Sequence, residues 1–176
     1  MNRKKQGKGR DGKLKNIYTN LFIGSDDDCA TCVINSEYSI IHACKTCHQR
    51  AVGYKKSLPS THPNYLIYES GEQLFLNMVD MPNEFLPEYT NPIINCAINF
   101  INRKIQNKKI LIHCNMGQSR SPSIGLIYLA IIGRISNNSF DSAIEEFKKL
   151  YPEYMPGMGI MLYMQHNWDF LMNING

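Results

Sequence analysis

Residues 109–132 read Lys109-Ile110-Leu111-Ile112-His113-Cys114-Asn115-Met116-Gly117-Gln118-Ser119-Arg120-Ser121-Pro122-Ser123-Ile124-Gly125-Leu126-Ile127-Tyr128-Leu129-Ala130-Ile131-Ile132. The first four residues have the character of a short buried strand. From Pro122 to Ile132 the chain is long and apolar enough for a buried helix. A strand, a tight loop and a helix start thus surround one cysteine and one arginine. That setting suits an oxyanion.

The reason lies at the helix end. The first turn of a helix leaves backbone N–H groups unpaired, and the aligned peptide dipoles put partial positive charge there. A loop curling over that end turns its own N–H groups inward and forms an anion-binding nest. Gly117 sits mid-loop, where a side chain would obstruct a sharp turn or force an unfavourable positive φ. Arg120 adds a planar fork of donors able to grip two phosphate oxygens. Such a field favours loss of the Cys114 proton, because the same donors stabilise a thiolate. Ser121 can serve as helix cap and as a hydroxyl that stabilises a departing thiolate. An isolated cysteine is most often a buried core residue. Here His, Cys, Gly, Ser, Arg and Ser at fixed positions coincide with the strand, loop and helix that such chemistry needs.

The pattern His113-Cys114-x-x-Gly117-x-Ser119-Arg120-Ser121 resembles the signature loop of cysteine-dependent protein phosphatases, specifically the dual-specificity group. The resemblance runs from about Asn16 to the C-terminus and implies that group's fold. It implies Cys114 as nucleophile, Asn115, Met116, Gly117, Gln118, Ser119 and Arg120 as the phosphate-binding loop, and His113 as a supporting residue that orders it. It also implies an upstream aspartate as general acid, some thirty residues before the nucleophile. Asp80 is the matching position: it follows the apolar Met78-Val79 and precedes Met81-Pro82, where a strand gives way to a loop. A carboxylic acid there can protonate the leaving oxygen and later deprotonate water. Glu84 and Glu88 are its rivals. Departures from the pattern matter too. Asn115, Met116 and Gln118 are uncharged, unlike the lysine-rich loops of relatives acting on phosphoinositides, and Gly157 stands where many relatives carry an asparagine.

At 176 residues the chain suits one domain with a single sizeable core. No stretch approaches the roughly 18 apolar residues of a membrane span, and no signal-peptide pattern opens the sequence. The expected location is cytoplasmic. The net charge of +4 is unevenly spread. Residues 1–15 hold Arg3, Lys4, Lys5, Lys8, Arg10, Lys13 and Lys15 against Asp11 alone, a net +6, which leaves −2 for the remainder. Residues 1–15 therefore read as a basic disordered tail, able to touch nucleic acid or an anionic surface, and 16–176 as the catalytic domain.

Ile17–Gly24 reads as the opening strand region, and Ser25-Asp26-Asp27-Asp28 as the cap and acidic first turn of a short helix to about Val33. Ser39–Cys44 is a second strand, and the polar segment 45–63 matches no motif. Tyr65–Tyr68 and Leu74–Val79 read as strands joined by the turn Glu69–Glu72. Helical spacing of apolar residues predicts helices over about Glu88–Gln106, Phe140–Leu150 and Met158–Leu171, with the methionines near the C-terminal end packed in the core. Strands interleaved with helices predict an α/β fold, a central mixed sheet flanked by helices, with the phosphate-binding loop between a core strand and a helix.

Cys29-x-x-Cys32 and Cys44-x-x-Cys47-His48 leave two roles open, zinc binding or redox control of Cys114. Only 11 residues separate the pairs, fewer than a typical four-cysteine site leaves. No metal or cofactor is expected for the reaction itself, since the loop supplies the positive electrostatics. The expected function is phosphomonoester hydrolysis on phosphorylated proteins through a cysteinyl-phosphate. An RNA 5′-triphosphatase of the same superfamily and a catalytically weak phosphate-binding module are the alternatives.

Overall fold

The computed structural model describes residues 14–174. The chain opens with β1 (Lys15–Tyr18) and β2 (Leu21–Gly24), followed by α1 (Asp26–Cys32), β3 (Tyr38–His42) and α2 (Lys45–Val52). Next come β4 (Ile67–Ser70), β5 (Gln73–Leu76), α3 (Pro87–Lys104) and β6 (Lys109–His113). Four helices close it: α4 (Arg120–Ile131), α5 (Phe140–Leu150), α6 (Met158–His166) and α7 (Trp168–Met172).

The six strands form one sheet in the order β1-β2-β6-β3-β5-β4. Strands β2, β6, β3 and β5 run parallel, and the edge strands β1 and β4 pair antiparallel with their neighbours. This is the expected mixed α/β sheet. Alternation along β3 and β6 divides their side chains between two faces. Ile41, Ile110 and Ile112 join the main core with α3 and α4, whereas Ile40 and Leu111 form a small cluster with Cys32 of α1. Beyond its first turn helix α4 is apolar all round, and it is buried over nearly its whole length, as a helix enclosed by neighbours must be.

Several boundaries differ from the sequence reading. Ile17–Gly24 is not one strand region but part of a hairpin whose turn contains Asn20 at φ 59°, a conformation that asparagine tolerates better than most residues. Of the expected tail, residues 1–13 lie outside the described residues. Leu14 and Lys15 do not belong to a tail: the Leu14 amide donates to Asp28, and Lys15 opens β1 and pairs with Glu153 at 3.2 Å. Segment 45–63 contains α2, hidden in the sequence because this helix buries only His48 completely. The final helix breaks at Asn167, whose side chain donates to the carbonyl of Tyr163 and ends that run. The methionines divide: Met164 is buried, but Met155 and Met158 are exposed. Among the described residues no helix is long and apolar enough to cross a membrane.

Candidate active site

The loop between β6 and α4 lies at the C-terminal end of the parallel strands, where ligands of open α/β sheets gather. Gly117 has φ +69°, and a Cβ there would stand 2.9 Å from the Gly24 carbonyl oxygen, so both its conformation and its space require glycine. The loop is held from several sides. Tyr151 donates to the Gly117 carbonyl (2.8 Å), and the Met155 amide to that of Gln118 (2.9 Å). Ser123 bridges the Ser119 carbonyl and the Tyr154 hydroxyl at 2.8 Å each.

Cys114 is buried, and its Sγ accepts a hydrogen bond from Ser121 Oγ at 3.2 Å. Ser121 is not the cap expected from the sequence. Ser119 occupies that position, and its Oγ accepts from the Gly157 amide instead of capping α4. Ser121 lies inside the first turn, which is what aims its hydroxyl at the sulfur. Arg120 is anchored by Nη1 to the Met78 carbonyl (3.0 Å) and by Nη2 to Asn115 Oδ1 (2.9 Å). Its buried Nε has no hydrogen-bond partner and lies 3.8 Å from Asp80 Oδ2. A polar atom buried without a partner in a cleft is where an incoming oxygen is accommodated.

Asp80 sits on the loop after β5 and reaches the same cavity, about 180 Å³ in volume, with Cys114, Met116, Arg120, Met155 and Gly157. Its rivals are elsewhere. Glu84 pairs with His166 at 3.0 Å, and Glu88 lies in the first turn of α3. Sequence reasoning missed two lining residues. Met155, expected in the core, and Gly157, expected only as a departure from the family pattern, both line the cavity. A Cβ at Gly157 would collide with Asp80 Oδ1, so glycine makes the room in which this carboxylate sits.

His113 is buried behind the loop, with Nε2 2.7 Å from His42 Nδ1 and its carbonyl accepting from the Ala43 amide. Burial pushes its pKa down to about 4, so the ring is neutral near pH 7. The cysteine pairs do not behave as two equivalent clamps. Cys32 packs with Ile40 and Leu111, and His48 pairs with the Tyr54 hydroxyl at 3.1 Å. Cys29, Cys44 and Cys47 instead gather near His42 and His113.

A buried cysteine in the loop that runs into α4, beside an arginine whose Nε is unbonded and with a carboxylate across the cleft, is an arrangement chemically suited to a phosphoryl group. Residues 23–167 match the family model described as "Dual specificity phosphatase, catalytic domain", and the chain belongs to that family. It is a cysteine-dependent protein phosphatase, a reading the family match favours over the RNA-triphosphatase and binding-module alternatives. Solved structures share the fold. A leucine-rich-repeat and phosphatase-domain protein from Entamoeba histolytica superposes with a TM-score of 0.61 at 21% identity, covering 93% of this chain and 95% of that one. Human DUSP28 gives 0.57 at 19%, with 90% and 94% covered. The Yvh1 phosphatase domain from Chaetomium thermophilum gives 0.58 at 17%, with 94% and 99% covered. No curated protein is similar enough in sequence to count as a relative.

Proposed function

We propose that this phosphatase hydrolyses phosphomonoesters on proteins through a cysteinyl-phosphate on Cys114, with Asp80 as general acid and base. The observation that carries the assignment is the convergence of Cys114, Arg120 and Asp80 on one cavity, with Ser121 on the sulfur. In the first step Cys114 Sγ attacks phosphorus, the P–O bond to the leaving group breaks, and the proton of Asp80 passes to the departing oxygen. Arg120 and the loop amides hold the equatorial oxygens, whose charge must be balanced in the transition state. In the second step water attacks phosphorus, gives its proton to Asp80, and the S–P bond breaks. Ser121 then stabilises the returning thiolate by the hydrogen bond it already makes. A thiol nucleophile works where cysteines stay reduced, which supports a cytoplasmic setting.

The test is hydrolysis of a small aryl phosphate from about pH 4.5 to 8 by wild type and Asp80→Asn. Wild type gives a bell-shaped profile. The variant loses the basic limb, and its rate at the optimum falls by roughly 10²–10⁴-fold. An unchanged profile in Asp80→Asn would remove Asp80 from the assignment.

A further inference from the structure

Behind the phosphate loop, on the other side of His113, lies a second and larger cavity of about 440 Å³. It is lined among others by Asp26, Cys29, His42, Cys47 and His113. The chemistry proposed above uses none of its thiols. Asp26 follows β2, Cys44 and Cys47 follow β3, and His113 ends β6, so three adjacent parallel strands deliver these groups to one place. One ligand atom from each of Asp26, Cys44, Cys47 and His113 falls within 4.8 Å of every other.

Hydrogen bonds orient the imidazole of His113. Gln73 Oε1 can only accept, so His42 donates to it from Nε2 at 3.0 Å. His42 Nδ1 then accepts, and His113 Nε2 donates to it at 2.7 Å. His113 Nδ1 is fully buried and has no hydrogen-bond partner. It faces Asp26 Oδ1 at 3.3 Å. The thiols of Cys44 and Cys47 close the same space. A cation bound by all four groups gives that buried nitrogen its partner.

The geometry points to a structural zinc site formed by Asp26, Cys44, Cys47 and His113 through Nδ1. Two sulfurs, one imidazole nitrogen and one carboxylate oxygen are a zinc donor set. Ligands on tetrahedral zinc stand roughly 3.3–3.8 Å apart, so closure of about 1 Å is enough. The chain from His113 to His42 to Gln73 is the outer support that orients a ligating histidine, and the cavity supplies access. All four positions are filled and no reacting atom is among them. The ion ties the starts of α1 and α2 to the residue preceding Cys114.

The test uses the full chain, reduced, stripped by chelator, and titrated with zinc against a chromophoric chelator and with cobalt for spectroscopy. The expected result is one ion per chain, with thiolate-to-cobalt charge transfer and the intense visible bands of a tetrahedral site. Binding survives in Cys32→Ser and Cys114→Ser. It falls by more than roughly 100-fold in Cys47→Ser and by roughly 10–100-fold in Gln73→Ala. Asp26 is exposed, so Asp26→Asn serves as the ligand variant if Cys47→Ser does not fold. Uptake abolished by Cys114→Ser would place the ion on the phosphate loop and overturn the inference. So would uptake unaffected by Cys47→Ser and Asp26→Asn, or no stoichiometric uptake by reduced protein. A Cys44–Cys47 disulfide in protein that takes no zinc once reduced would assign the pair to redox chemistry instead.

Discussion

At Gly157 a missing side chain matters as much as the groups that do chemistry. Its backbone, φ −61° and ψ 152°, suits any residue, so the constraint is space beside Asp80. Gly157→Ala is expected to displace the carboxylate and lower kcat by up to about 10²-fold, the cost of misplacing a catalytic group by roughly 1 Å. Thermal stability should hardly change, since the neighbour that must yield is the end of a half-exposed side chain. Equal kcat values for the two proteins would show that Asp80 has no required position. Cys114, Arg120 and Ser121 were legible in the sequence because one short stretch from loop into first helical turn contains them all, with strand and helix patterns on either side. Gly157, Met155 and Tyr151 were not, because they reach the loop from more than thirty residues away. Nothing local marks a glycine whose role is to leave room for Asp80.

At the level of elements, α5 ends at Tyr151, whose hydroxyl holds the Gly117 carbonyl of the phosphate loop. Burial pushes the pKa of this tyrosine up to about 12 from an ordinary value of 10. Between those limits the unfolded chain has lost the phenolic proton while the folded chain keeps it. The contribution is whole below pH 10 and is lost as pH rises toward 12, by roughly 3 kcal/mol in full. Tyr151→Phe should cost about 1 kcal/mol at neutral pH and show a shallower alkaline loss, as read by urea unfolding at neutral and alkaline pH. Equal alkaline slopes would contradict this. In α4, Leu129 is fully buried, and Leu129→Ala is expected to cost about 2–5 kcal/mol in the same assay. Helices α3 and α5 were legible because the core they face dictates their apolar period, and α4 because its run is apolar on every side. Helix α2 and the β1–β2 hairpin were not, since one buries little and the other turns on a single tolerated backbone conformation at Asn20.

Across the whole molecule, the parallel strands β2, β6 and β3 set what can meet. Gly24, His113 and His42 are neighbours in register, so the loops that follow these strands share one end of the sheet. One side of that end presents Cys114 and Arg120 to the cleft, and the other gathers Asp26, Cys44 and Cys47 against His113. The sequence reading reached the mixed sheet because strands alternate with helices, but it could not pair Cys44 and Cys47 with Asp26, since no spacing encodes a contact between loops. The most direct test of the chemistry is to find where the phosphoryl group goes. Ser121→Ala should slow release of the thiolate, so the intermediate accumulates when the protein is mixed with labelled aryl phosphate and quenched. Label on the peptide containing Cys114, absent in Cys114→Ser together with turnover, is the expected result. Label on another residue, or turnover that survives Cys114→Ser, would contradict it.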